Sequence, residues 1–180
     1  TAMKLVSLGH NIILPCRDIK RANETLIKLF NDLPVHLCNR GRIFTPIMDL
    51  SDLVSIDNFY LEMKKIREKI DILILNAGLQ YTGSKEIRRS SQGVELTFAV
   101  NHLAHHYLTC KLLPLINKTA NTRIIITSSE VHNPSSPGGK VGLKASLGNF
   151  SGLEKGCCFE MLDGKSFNAD KAYKDSKLCN

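Results

Sequence analysis

The chain has 180 residues, 43% of them hydrophobic and 23% charged, with a formal net charge of +7. It is long enough for one domain with a real core, and no run approaches the roughly 18 apolar residues that a membrane-spanning helix needs. The basic residues are scattered, apart from the pairs Lys64, Lys65 and Arg88, Arg89, and aromatics make up only 6%; this speaks against a nucleic-acid stacking surface, and no nucleic-acid partner is expected.

In chain order, strands and helices alternate. Residues 1–8 read as the end of a helix, and 11–16 as a short strand. Asp18 then looks like an N-cap, with Ala22, Leu26, Leu29 and Phe30 lining one helical face. Residues 42–48 form a second strand. A helix from Ser51 carries Leu53, Ile56, Phe59, Met63, Ile66 and Ile70 at spacings of three and four. Residues 71–76 are apolar without alternation, as in a strand with both faces covered. A long helix is expected over 92–116, with Leu96, Val100, Leu103, Tyr107 and Leu112 on its inner face, followed by a strand over 122–127. Periodicity then disappears until a last helix begins near Ala169. A stretch of that length without elements is usually functional or mobile. Strands separated by helices indicate a doubly wound parallel α/β sheet of Rossmann type. The reading is one partial domain over 1–180, incomplete at both ends, with a loop-rich insertion at about 131–168.

Six cysteines, at 16, 38, 110, 157, 158 and 179, contain no C-x-x-C pair. No secretion signal is visible, so free thiols in the cytoplasm are expected, and glycosylation-like triplets at Asn23, Asn117 and Asn149 carry no weight. His102, His105 and His106 invite a metal reading, but Leu103 stands where a zinc helix needs glutamate, and no metal is expected. The adjacent Cys157 and Cys158 offer no sequence ground for a lowered thiol pKa.

In open parallel sheets, ligands bind beyond the carboxyl ends of the strands. That rule selects Arg17 and Asp18, Asp49 and Leu50, the triplet Asn76, Ala77, Gly78, and Ser128 with Ser129. Such residues also serve ordinary turns, so each position alone is ambiguous. In the complete fold a carboxylate after the second strand reads the ribose of NAD and an arginine there suits the extra phosphate of NADP; with the domain incomplete at its start, the strand at 11–16 takes that place, and Arg17 precedes Asp18 there. Tyr173 and Lys177 are four apart on a helix and share a face. A free tyrosine has a pKa of about 10, and a nearby ammonium favours its phenolate. A surface tyrosine beside a lysine has the same spacing.

Together these residues resemble the short-chain dehydrogenase/reductase family. Asn76, Ala77 and Gly78 are similar to its N-A-G motif, and Asn101 to its helix asparagine. Ser129, rather than Ser128, is similar to its catalytic serine, and Tyr173 to Lys177 match its Y-x-x-S-K form. Asp49 and Leu50 resemble its adenine-contacting pair. Within the family, residues 171–180 are similar to the K-A-Y-K-D-S-K-x-C-N stretch of light-dependent protochlorophyllide oxidoreductases. Leu75, Gly78 and Ala104 depart from that group's usual cysteine, alanine and glycine.

The resemblance implies an NADPH-dependent oxidoreductase acting on a tetrapyrrole or other lipophilic small molecule, with homo-oligomers expected. Asn101, Ser129, Tyr173 and Lys177 would be catalytic: Tyr173 donates the proton, Lys177 activates it, Ser129 orients substrate and Asn101 fixes a water. Arg17, Asp49, Leu50, Asn76, Ala77, Gly78, Tyr173 and Lys177 would bind NADP(H). A retinol-dehydrogenase-like carbonyl reductase and a non-catalytic NADP(H) sensor remain as alternatives.

Overall fold

A computed structural model describes residues 1–32, 41–66, 69–116 and 121–180. Cys38 and the triplet at Asn117 lie outside the described residues. The chain divides into two compact units, Thr1–Asp49 and Leu50–Asn180.

The first unit runs α1 (Ala2–Ser7), β1 (Ile12–Ile13), α2 (Ile19–Asp32) and β2 (Ile43–Phe44). β1 and β2 are parallel, with Ile12 opposite Ile43 and Ile13 opposite Phe44. Both strands are shorter than their apolar runs, and prolines explain part of this. Leu14 and Cys16 donate to the carbonyls of Phe44 and Pro46 at 2.8 and 2.9 Å. Pro46 has no N–H to return to the Leu14 carbonyl, which accepts the Cys16 thiol instead. Pairing resumes as a single bridge between Cys16 and Ile47. Asp18 caps α2 as expected, its carboxylate accepting from the Arg21 N–H at 2.8 Å. Ala22 and Leu29 are buried on α2, whereas Phe30 is exposed, so the inner face is narrower than its periodicity implies.

The second unit runs α3 (Leu53–Ile66), β3 (Ile72–Leu75), α4 (Leu96–Phe98), a π-helical turn (Ala99–Leu103), α5 (Ala104–Ile116) and β4 (Arg123–Ile126), then short helical turns and a last helix. β3 and β4 pair in parallel, Ile72 opposite Arg123 through Leu75 opposite Ile126. Parallel strands need a crossover, and α4 to α5 supply it. Packing of α3 on α5 includes a polar seam: Asp57 accepts from Tyr107 at 2.9 Å and pairs with Lys111 at 2.7 Å. This holds the Asp57 carboxyl below its ordinary range, the Lys111 hydrogen bond being the chief cause.

Three sequence expectations are corrected. The long helix begins at Leu96, not Gln92, because Gly93 takes a positive φ of 80° and the buried Glu95 carboxylate caps the N–H groups of Thr97 and Phe98, both at 2.8 Å. β3 is not covered on both faces: Ile72 and Ile74 are 49% and 43% exposed, and Ile124, Ile125 and Ile126 of the paired β4 at least 42%. Residues 131–168 are not without elements. They hold part of a 3-10 turn (Glu130–His132), α6 (Pro137–Lys140) and a kinked 3-10 segment (Ser151–Cys158). At Gly152 an added Cβ would lie 2.0 Å from the Met161 carbonyl, so only glycine lets this segment close on itself.

That segment is pinned by α7 (Ala169–Cys179). The buried Lys171 ammonium bonds Asp175 at 2.5 Å and the Ser146 carbonyl at 2.7 Å, and pairs with Asp163 at 3.1 Å. The buried Lys174 ammonium donates to the carbonyls of Gly139, Val141 and Leu143 at 3.3, 2.5 and 3.0 Å. Asn168 caps the helix through the Lys171 N–H at 2.8 Å.

Candidate active site

α7 presents Tyr173 and Lys177 one turn apart, as i,i+4 geometry requires. They line a cleft of about 230 Å³ with Asn76, Gly78, Leu79, Gln80, Thr127 and Ser128, which follow the ends of β3 and β4. Of the residues the strand-end rule selected, Asn76, Gly78 and Ser128 line this cleft.

Lys177 is 4% exposed. Its ammonium donates to the Thr127 carbonyl at 2.8 Å and sits 5.8 Å from the centre of the Tyr173 ring. Burial pushes its pKa below the ordinary lysine value. An ammonium has three donors, and Thr127 takes one of them.

Asn101 is fully buried in the π-helical turn. Its side-chain oxygen accepts from the Leu79 N–H at 2.8 Å; its amide donates to the Leu79 carbonyl and the Ser176 hydroxyl, both at 3.0 Å. Asn101 thus ties the segment after β3 to α7. Its backbone carbonyl accepts from the Asn180 amide at 3.1 Å. Gly78 passes close by: a Cβ there would be 3.3 Å from the Asn101 side-chain oxygen and 3.6 Å from the Lys177 nitrogen.

The two serines differ. Ser128 lines the cleft, but its hydroxyl is committed to the Lys177 carbonyl at 2.7 Å. Ser129 is half-buried in extended backbone and is not part of the cleft lining. Among the described residues, its hydroxyl has no hydrogen-bond partner. Ala77 is exposed and Leu50 half-buried, neither in the cleft wall. Arg17 and Asp49 belong to the first unit, where Arg17 is exposed and 3.8 Å from Asp18.

Sequence reasoning missed Asn180, which bonds Asn101 and reaches His102 Nδ1 at 3.0 Å. It also missed Thr127, whose relevant atom is a backbone carbonyl. The three histidines serve separate tasks: His102 meets Asn180, His106 approaches Cys110 at 3.7 Å, and His105 is buried with an unpartnered Nδ1.

The profile of the family described as short chain dehydrogenase matches residues 1–141. The chain belongs to that family. It is 35% identical over 182 residues to the chloroplastic protochlorophyllide reductase of Chlamydomonas reinhardtii, covering 98% of this chain and 44% of that protein. The corresponding enzyme of Cucumis sativus is 33% identical over 190 residues, covering 100% and 45%. The chain thus spans under half the length of these curated relatives. Among solved structures, the Pseudomonas aeruginosa RhlG/NADP active-site complex superposes with a TM-score of 0.65 at 18% identity, over 99% of this chain and 56% of that one. A metagenomic short-chain oxidoreductase in complex with NADP gives 0.62 at 22%, over 99% and 63%. These likenesses agree with the parallel α/β Rossmann-type arrangement of the short-chain family. Among the described residues, no helix is long and apolar enough to cross a membrane.

Proposed function

We propose that this chain carries the catalytic part of an NADPH-dependent short-chain reductase acting on a protochlorophyllide-like tetrapyrrole. The observation that carries this is the single cleft shared by Tyr173, buried Lys177 and the residues after β3 and β4. The named relatives support the substrate class, being protochlorophyllide reductases.

The residues present fit the cofactor. Lys177 keeps two donors beyond its bond to Thr127, which suits ribose hydroxyls, and Asn76 and Gly78 bring exposed backbone to the same wall. Leu50 and Ala77 complete the binding set proposed for this unit, and Arg17 and Asp49 that for the first. When bound, NADPH supplies the hydride. Tyr173 then gives its phenolic proton to the substrate; the Lys177 ammonium stabilises the phenolate left behind. The uncommitted Ser129 hydroxyl orients substrate, a task for which Ser128 is already spent. Asn101 acts as a positioning residue, since its side-chain bonds go to Leu79 and Ser176.

The test uses the complete protein with NADPH and protochlorophyllide, recording absorbance in darkness and after illumination. Loss of the substrate band on illumination, abolished in Tyr173→Phe with NADPH binding retained, is the expected result. Turnover of a lipophilic aldehyde instead would move the assignment to a carbonyl reductase. Binding of NADPH with no oxidation of it on either substrate would make the protein a sensor. Cell fractionation distinguishes the cytoplasm, which the free thiols fit, from the plastid named for the relatives.

A further inference from the structure

Cys157 and Cys158 lie outside the cleft and take no part in the proposed reaction. Both are exposed free thiols, with sulfurs 3.9 Å apart. Their backbone is nonetheless anchored. Arg89 donates to the carbonyls of Cys158 and Phe159 at 3.1 and 3.2 Å, and to that of Gly93 at 2.8 Å. Phe159 is buried, edge-on to Phe98 at 5.7 Å. The Cys157 sulfur leans over Gly93, where an added Cβ would be 3.6 Å away; glycine leaves that side unshielded.

The separation selects the chemistry. Adjacent Cα atoms are about 3.8 Å apart, below the roughly 4.4 Å at which disulfides usually begin, so a bond between these sulfurs would be strained and easily reduced. A trivalent arsenic centre is pyramidal and draws its two thiolates closer together than the 3.9 Å seen here, a change that rotation of these exposed side chains supplies. Soft centres of this kind select thiolates.

We propose that Cys157 and Cys158 form a two-thiol chelating site for thiophilic ligands of the trivalent arsenical class. Binding is a condensation without redox change. Two S–As bonds form, the As–O bond of the arsenoxide breaks, and the two thiol protons leave with that oxygen as water. An arsenical discriminates this pair from His106 with Cys110, which offers one thiol.

The complete protein would be titrated with phenylarsine oxide, following free thiols and intact mass. The expected result is a chelate at this pair that a dithiol reverses and an equal concentration of monothiol does not. Cys157→Ser and Cys158→Ser should each weaken binding by roughly 10²-fold, the scale on which two linked contacts exceed one, with unchanged circular dichroism; Cys110→Ser should leave it intact. Binding that survives both single variants, or that a monothiol strips as readily as a dithiol, would overturn the proposal.

Discussion

Lys177 holds its charge against burial, with one carbonyl as its recorded partner and a lowered pKa as the consequence. Removing a buried charge for an apolar chain of similar volume is often neutral or stabilising. Lys177→Met should therefore abolish turnover without lowering the thermal midpoint; a clear loss of stability would show that the lysine has a structural role instead. His105 makes the opposite kind of prediction. Burial, then the nearby charges of Lys177 and His102, push its pKa down to about 4 from 6.5. Between those values the unfolded chain binds a proton that the native state refuses. Stability is therefore full above about pH 6.5 and drains away as the pH falls toward 4, by about 3 kcal/mol. His105→Leu should lose about that much less between pH 7 and pH 4 in urea titrations. Equal losses in both proteins would refute the assignment.

At the scale of elements, α7 is both site and post. One side offers Tyr173 and Lys177, while Lys171, Lys174 and Asp175 organise residues 139–163. Asp163 and Asp175 sit on one ammonium yet shift in opposite directions. Burial raises Asp175 despite Lys171, whereas for Asp163 the bonds to Lys171 and the Lys165 N–H outweigh burial and lower it. Lys171→Met strands both carboxylates and should cost about 3–5 kcal/mol. Lys174→Met strands only carbonyls and should cost less, about 1–3 kcal/mol, with faster hydrogen exchange confined to the loop around 139–143. Uniformly faster exchange would count against a local role. These ties were invisible in the sequence because the partners of Lys174 are backbone oxygens of a segment without periodicity. β3 and β4 were legible because each is an aliphatic run bounded by polar residues. The spacing of Tyr173 and Lys177 put them on one helix face, and the family motif preferred Ser129 to Ser128; that the Ser128 hydroxyl is bonded to the Lys177 carbonyl is a detail no pattern encodes.

For the whole molecule, the open feature is the β3–β4 pair, whose isoleucines remain 42–49% exposed. Ile72, Ile74 and Ile125 lie on one face and Ile124 and Ile126 on the other, and exposed apolar faces of this kind are association surfaces or liabilities. The 180-residue chain alone should bind a hydrophobic dye such as ANS and show concentration-dependent mass in sedimentation. Replacing Ile124 and Ile126 by threonine should reduce both. A monodisperse, dye-silent chain would mean that the faces are shielded in solution. The net charge of +7 opposes such association, so added salt should strengthen it.

The turn at Ala99–Leu103 closes through the Ala104 N–H to the Ala99 carbonyl, five residues back. An α-helix rotates about 100° per residue, and this turn absorbs one residue more than the ladder before and after it. The helix is therefore two rotors in different phase. One aims Asn101 at Leu79 and Ser176; the other aims Leu108, Leu112 and Leu115 at the core. Deleting a single residue there would make the helix more regular and swing one of the two out of alignment. The number of residues at this point therefore sets both alignments, a dependence separate from the side-chain bonds of Asn101.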